Sequence, residues 1–381
     1  MSPLESRLHA QILNDGPLSF ADFMRISLYD SDHGYYGSGK AQLGRSGDFY
    51  TSVSVGPLFG KMLARQFAEM WELAERPPVW TLVEQGAYNG QLALDILNAL
   101  KIQSPDCYAA TSLWLIEPFS VFEQQQVQTL AAYQHQVHWY KSPAELPPFS
   151  GVYYSNELLD AFPVHRLQRG AGEWQELRIE SSDQAFRWLP VPITEPQLQE
   201  ATQHLPDVPE GFCMEINLPL RSWLAELFIK LERGWLLAFD YGMSAMELAL
   251  PHRKDGTVAG YKNHKRIDDP LVSPGEIDLT AHVNFTAFAS QATAEGWELV
   301  GYTDQHRFFT GLAPLHFKDA SEELSVEEQK ERLAFRSLTH PQLMGVQFKV
   351  LGLSKKMPPP AKLTGFAFAR PANSSLGLDA I

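Results

Sequence analysis

The sequence predicts an α/β fold: an open, mostly parallel seven-stranded sheet wound on both faces by helices, with a helical region ahead of it and inserted segments. Three observations predict it. From residue 79 short apolar runs alternate with helix-period stretches, as in a parallel sheet covered on both faces. A glycine-bearing turn, "EQGAYNG" (84–90), joins the first apolar run to the helical stretch behind it. Two further β-type runs, "WELVGYTD" and "FKVLGLSKK", come late and read as an antiparallel pair.

Composition narrows the class. A chain of 381 residues can bury a large core and carries a prior of about two domains. Hydrophobic residues make up 44% and charged residues 20%, the balance of a globular rather than a disordered chain. A net charge of −14 argues against nucleic acid as a partner, because phosphate binding needs a basic surface. It is compatible with cationic ligands or basic peptides. Cys107 and Cys213 form neither a disulfide framework nor a zinc motif and read as buried thiols. The first stretch, "MSPLESRLHAQILNDG", has no apolar signal core and is not the Arg-rich, acid-free type of a transit peptide. No apolar run approaches the ~20 residues of a membrane span. These features predict a cytoplasmic protein without membrane insertion.

Residues 1–76 read as a helical region with long loops. Ser19 is an N-cap candidate for "FADFMRISLYD", and residues 30–52 form an extended Gly/Ser/Asp-rich loop. "GPLFGKMLARQFAEMWELA" follows as an amphipathic helix with Leu58, Met62, Phe67, Met70 and Trp71 on one face. "ERPP" (75–78) ends this region, and the main domain runs over 77–356. Strands are expected at 79–85, 112–117, 137–140, 151–156 and 235–240, and helices near 90–101, 118–131, 157–161 and 217–232. Three segments interrupt the alternation, the first two as insertions. Residues 163–212 carry a hairpin, "EWQELRIE" and "QAFRWLPV", and residues 243–284 form a polar excursion. Residues 305–345 hold one helix, "SVEEQKERLAFRSL"; residues 357–381 form a C-terminal tail, whose end, "ANSSLGLDAI" (372–381), is expected to fray. Five parallel strands followed by a late strand pair are the arrangement of the Rossmann-like class I methyltransferase sheet. A plain dinucleotide fold continues with parallel βα units instead.

Candidate site residues cluster at the carboxyl ends of the predicted strands, where doubly wound sheets bind ligands. In the first turn Gly86 and Gly90 allow close backbone approach, and Asn89 tolerates left-handed dihedrals. Glu84 ends the first strand, where a carboxylate facing the crevice favours a cation. Glu117 ends the second strand, the usual place for an acid accepting hydrogen bonds from a ribose diol. Tyr88 would crowd a pyrophosphate, which wants small residues at the helix start. S-adenosylmethionine has no phosphate, and its sulfonium suits a carboxylate-lined pocket. Asn156 and Glu157 follow the fourth strand, with Asp160 three residues beyond Glu157. On one helical turn those two acids share a face and could clamp a guanidinium. The same residues could instead be a cap and acids complementing a helix dipole. Asp240 and Tyr241, at the end of the fifth strand, could line the acceptor side or cap the turn that follows. His264 could touch substrate or lie on the surface. His264 and His282 have no ligand pattern near them, so no metal site is assigned.

Six segments together resemble the MidA family of class I S-adenosylmethionine-dependent methyltransferases. In order they are "GPLSFADFMRISLYDSDHGYYG", "GDFYTSVSVGPLFGKMLARQF", "EQGAYNGQLALDIL", "NELLDAFPVHR", "LLAFDYG" and "IDLTAHVNF", spanning about residues 10 to 355. The resemblance implies S-adenosyl-L-methionine as cofactor, held by Glu84, Gly86, Ala87, Gly90 and Glu117, with Asp48 and Thr51 in a lid-like segment. It implies Asn156, Glu157 and Asp160 as the catalytic motif. The family's mitochondrial member is a protein arginine methyltransferase that assists assembly of respiratory complex I. The implied partner is therefore a protein substrate, a respiratory-complex subunit among the candidates. Tyr88, beside Asn89, departs from the family pattern, which commonly has a second glycine there. That departure motivates a rival reading, a non-catalytic assembly factor on a methyltransferase scaffold. A nicotinamide-dependent oxidoreductase is disfavoured by Tyr88 and by the late strand pair.

Overall fold

The structure, a computed structural model, describes residues 1–41, 52–183, 185–317, 324–358 and 363–378. Asp48 and Thr51 lie outside the described residues. The chain divides into two compact units, each gathered from three stretches of sequence. Residues 1–50, 159–222 and 243–284 form one, and residues 51–158, 223–242 and 285–381 form the other. The contacts therefore divide the expected 1–76 region at residue 50, and both inserted segments join its first part.

The larger unit holds the central sheet. Its strands are β1 (Trp80–Gln85), β2 (Thr111–Ile116), β3 (Val137–Tyr140), β4 (Phe149–Asn156), β5 (Leu231–Met243), β6 (Glu298–Asp304) and β7 (Phe348–Lys355). They lie in the order β6-β7-β5-β4-β1-β2-β3. The first five pair in parallel, and β7 runs antiparallel between β5 and β6. Chain direction across the sheet reverses between β1 and β4, so their carboxyl ends flank the topological switch point. The inner strands read as unbroken apolar runs because helices cover both faces: Trp80 to Glu84 and Trp235 to Asp240 are all buried.

Helix α1 (Leu58–Leu73) buries its predicted apolar face, and α2 (Gln91–Gln103) buries Leu92, Ile96 and Leu100 at the predicted spacing. The two helices cross closely at Gly60, where a Cβ would lie 2.6 Å from Asp95 Cβ. Helix α3 (Ser120–Thr129) lies between β2 and β3 in the chain. The next predicted helix closes at Lys230, before Gly234. Residues 305–345 hold two helices rather than one, Gln305–His316 and Val326–Thr339. Gly311 and Pro314 hide the first from a propensity reading. It forms because the Asp304 carboxylate accepts from the Arg307 N–H and because Phe308, Phe309 and Leu312 are buried.

The tail expected to fray, 372–381, forms a short helix, Ala372–Leu376, within its described part, and the segment ahead of it is anchored as well. Leu363, Phe366 and Leu376 anchor it as buried side chains. The Gly365 N–H donates to Gln66 Oε1 at 2.9 Å, and the Thr364 N–H donates to the Glu69 carboxylate. The Phe366 ring packs 5.3 Å from that of Phe308 and over Gly301 and Gly352, where any Cβ would collide with it.

The smaller unit has two N-terminal helices, Pro3–Asp15 and Phe20–Tyr29, the second capped by Ser19 as its sequence predicts. They pack against the expected hairpin, Trp174–Ser182 with Ala185–Pro192. Phe23 meets Phe186 at 5.4 Å, and His9 stacks on the same ring at 4.0 Å. A second, three-stranded sheet pairs residues 259–262 with 265–267 and 278–280. Cys107 and Cys213 are buried thiols. Among the described residues no helix is long and apolar enough to cross a membrane.

Phe366→Ala tests the anchored tail. Urea unfolding should show a loss of about 3–5 kcal/mol, the cost of emptying a buried aromatic site. A loss below about 0.5 kcal/mol would mean that the tail contributes nothing to the fold.

Candidate functional site

The first element of the site is the turn after β1. It passes through Gly86 (φ +79°), Tyr88 (φ +48°) and Gly90 (φ +81°) before α2 begins at Gln91. At Gly86 a Cβ would be strained and would press on Leu158 Cδ1 at 3.3 Å. Asn89 Oδ1 accepts the Gln91 N–H at 3.1 Å and so starts the helix. A left-handed tyrosine costs about 1–2 kcal/mol, so something must hold it. Its ring lies 5.4 Å from the Phe122 ring on α3, and its carbonyl accepts from Gln126 Nε2 at 2.8 Å.

The second element is Glu117, just past β2. Its N–H donates to the Tyr140 carbonyl at 2.8 Å, which extends the pairing with β3. Its carboxylate accepts the Phe119 N–H at 3.0 Å and Gln126 Nε2 at 2.9 Å. Burial pushes this carboxyl up to about 7 against those hydrogen bonds and the nearby Lys141 charge. Gln126 thus touches both the glycine turn and the acid. Nothing in the run "EQQQVQT" marks it out, because burial of one glutamine among four is a tertiary fact.

Glu84 is buried rather than open to a crevice. It takes the Tyr154 hydroxyl at 2.9 Å, and Tyr154 in turn packs on Phe67 of α1. Burial pushes its carboxyl up to about 8. Burial also raises Asp95 on α2, to about 6. A neutral Glu84 does not attract a sulfonium by charge, but it can donate a hydrogen bond.

The third element is the exit of β4. Asn156 closes the strand and Glu157 takes φ +55°. The Glu157 N–H donates to the Phe239 carbonyl at 2.9 Å, and the Leu158 N–H donates to Asp240 Oδ2 at 3.1 Å. Asp240 Oδ1 accepts the Tyr241 N–H, so the acid pins the β4 exit to the end of β5. Asn156 Nδ2 donates to Glu157 Oε1 at 3.0 Å, whereas buried Asn156 Oδ1 has no hydrogen-bond partner among the described residues. The expected helix over 157–161 is only a 3₁₀ turn, Leu159–Ala161, because left-handed Glu157 cannot begin an α-helix. Glu157 and Asp160 therefore do not share a helical turn, and Asn156 does not cap one. Asp160 belongs to the smaller unit, where its carboxylate accepts from Thr280 Oγ1 at 3.1 Å and its carbonyl from the Ala281 N–H at 2.9 Å. Desolvation raises its carboxyl to about 6. His264 is exposed in a tight turn with φ +60°.

The larger unit therefore gathers Gly86, Ala87, Gly90, Glu117, Asn156 and Glu157 at the carboxyl ends of three adjacent strands. The set fits a nucleoside-bearing cation. It offers a left-handed glycine turn without a phosphate cradle, an acid with spare lone pairs for a diol, and one buried acceptor awaiting a donor.

Comparison with known proteins agrees with this chemistry. Residues 62–303 match the family described as "Putative S-adenosyl-L-methionine-dependent methyltransferase". The chain is 30% identical to the Drosophila melanogaster protein arginine methyltransferase NDUFAF7 homolog, mitochondrial, over 92% of this chain and 84% of that protein. It is 27% identical to the Homo sapiens protein arginine methyltransferase NDUFAF7, mitochondrial, over 98% and 88%. A Burkholderia thailandensis protein crystallised with S-adenosyl-homocysteine superposes with a TM-score of 0.85 at 28% identity, covering 97% of this chain and 96% of that one. The curated relatives are named as mitochondrial, which overturns the cytoplasmic expectation. That expectation came from the character of the first residues.

Glu84→Gln tests the buried acid. Between pH 4.5 and about 8 the folded protein holds a proton that the unfolded chain releases. The contribution of neutral Glu84 is thus complete below about pH 4.5 and is lost as pH rises toward 8. Glutamine stays neutral, so the stability of the variant relative to wild type should grow from pH 5 to pH 8 by on the order of 3 kcal/mol in urea unfolding. An unchanged difference would show that Glu84 is ionised in the fold.

Proposed function

The chain belongs to the family of S-adenosyl-L-methionine-dependent methyltransferases, and from that premise we propose that it methylates an arginine of a partner protein. S-adenosylmethionine is the cofactor and a protein is the substrate. The observation that carries the arginine reading is the β4 exit. There Glu157 is held at a left-handed φ by β5 while Asn156 Oδ1 has no donor among the described residues. Strained backbone beside an unsatisfied buried acceptor is costly, and such features collect at sites of chemistry.

The turn at Gly86, Ala87 and Gly90 would hold the cofactor, with Glu117 accepting its ribose hydroxyls. Asp48 and Thr51 join this set by family resemblance alone. When bound, the cofactor supplies an electrophilic methyl on a sulfonium. The protein must then make a guanidinium nitrogen nucleophilic. Guanidinium is protonated at any working pH, and its lone pairs are delocalised. Glu157 accepting two N–H bonds from one side of the fork localises positive charge there and leaves the far nitrogen richer. Asn156 Nδ2 holds Glu157 Oε1 in place, and Asn156 Oδ1 is free to accept a further guanidinium N–H. Alignment of that nitrogen with the methyl supplies much of the rate. The proton released on transfer can pass to Glu157. Asp160 is assigned the holding of the turn 159–161 through Thr280 and Ala281.

A net charge of −14 favours a basic, arginine-bearing segment and disfavours nucleic acid. The family resemblance makes a respiratory-complex subunit the partner to try first. The scaffold reading rests on Tyr88, whose ring packs 5.4 Å from that of Phe122 on α3.

Two variants at one position separate chemistry from folding. Glu157→Gln should lower methyl transfer to an arginine-bearing substrate at least ~100-fold, with calorimetric affinity for S-adenosyl-homocysteine within about twofold. Glu157→Gly should be equally inactive yet more stable by about 1 kcal/mol, because glycine relieves the left-handed backbone. Wild-type turnover in either variant would sink the clamp.

A further inference from the structure

Buried Gln126 on α3 bonds both the β1 turn and the β2 acid. One Nε2 hydrogen goes to the Tyr88 carbonyl at 2.8 Å and the other to Glu117 Oε2 at 2.9 Å. Its Oε1 accepts the Trp139 indole N–H at 3.1 Å. An indole nitrogen only donates, so Trp139 decides which end of the amide is oxygen. At Gly90 (φ +81°) a Cβ would lie 3.4 Å from Gln126 Cα and Cγ, an ordinary contact, so α3 packs directly against the turn.

We infer that Gln126, oriented by Trp139, is a positioning residue that locks the Tyr88 turn and the Glu117 carboxylate into one cofactor-binding pose. The inference rests on the cofactor site proposed above and accounts for the departure at Tyr88. A turn with a second glycine reaches its left-handed conformation at little cost. This turn has a tyrosine there, and the Gln126 amide together with the Phe122 ring holds it. The same amide favours the ionised Glu117 that accepts hydroxyl donors. The charged groups facing Glu117 are Lys141, whose Nζ reaches the Glu117 carbonyl at 3.4 Å, and Glu123, which pairs with Lys141. Both remain when Gln126 is changed.

Gln126→Met keeps the volume and removes the donors. Two readouts test it. In calorimetry, affinity for S-adenosyl-homocysteine should fall about tenfold, the loss of one hydrogen bond to a charged group. The pH below which that affinity declines should also move upward, because Glu117 loses a donor that favoured its ionised form. In the free protein, melting temperature should fall more steeply from pH 7 to pH 8 than in wild type. A raised folded pKa extends the range over which stability is lost with rising pH, and the contribution of Glu84 is common to both proteins. Trp139→Phe frees the amide to flip and should give the same two changes at smaller size, which covers the case in which Gln126→Met does not fold. Unchanged pH dependence in both readouts would overturn the inference. Absence of S-adenosyl-homocysteine binding by the wild-type protein would overturn the cofactor site instead, and the melting profile would still decide whether Gln126 governs Glu117.

Discussion

The site hangs on the register of β1, β4 and β5. Thr81 pairs with Gly151, and Gly151 pairs with Gly234, where the backbones approach so closely that a Cβ on either glycine would run into a neighbouring carbonyl. From that fixed point the strands count upward together. Glu84 falls opposite Tyr154, which donates to it, and Asn156 falls opposite Phe239, whose carbonyl takes the next N–H. Side chains alternate faces along a strand, so a slip of one residue would move Glu84 to the opposite face and separate Glu157 from β5.

The carboxyl edge of this sheet is built against stability. Glu84 and Glu117 are acids in places that favour their neutral forms, and Tyr88 and Glu157 hold dihedrals that suit glycine. Asn156 Oδ1 is buried with no partner among the described residues. A fold tolerates such costs where surrounding bonds over-determine them. Here the bonds are identifiable: Gln126 for the turn, Asp240 and Phe239 for the β4 exit.

The parts of the site were legible in unequal degree. Gly86, Gly90 and Glu117 could be read because they sit at strand ends, and strand ends follow from apolar runs. The i, i+3 spacing of Glu157 and Asp160 suggested a helical turn. The spacing is real, but the φ of Glu157 is set by its hydrogen bond to β5, some eighty residues away in sequence. Gln126 left no mark in sequence, since its three partners come from three different elements.

By itself the sequence determined the alternation of five strands and their helices, the glycine turn, the hairpin at 174–192 and the apolar face of α1. Each depends on periodicity or turn chemistry within a few residues. Only the tertiary structure decided that β7 enters between β5 and β6, that the two insertions fold with residues 1–50, and that the C-terminal segment is anchored by Leu363, Phe366 and Leu376. It also decided which polar side chains lost their water. Burial and long-range hydrogen bonds set the protonation of Glu84 and Glu117 and the roles of Gln126 and Asp240, and those are properties of neighbours that the linear chain does not place side by side.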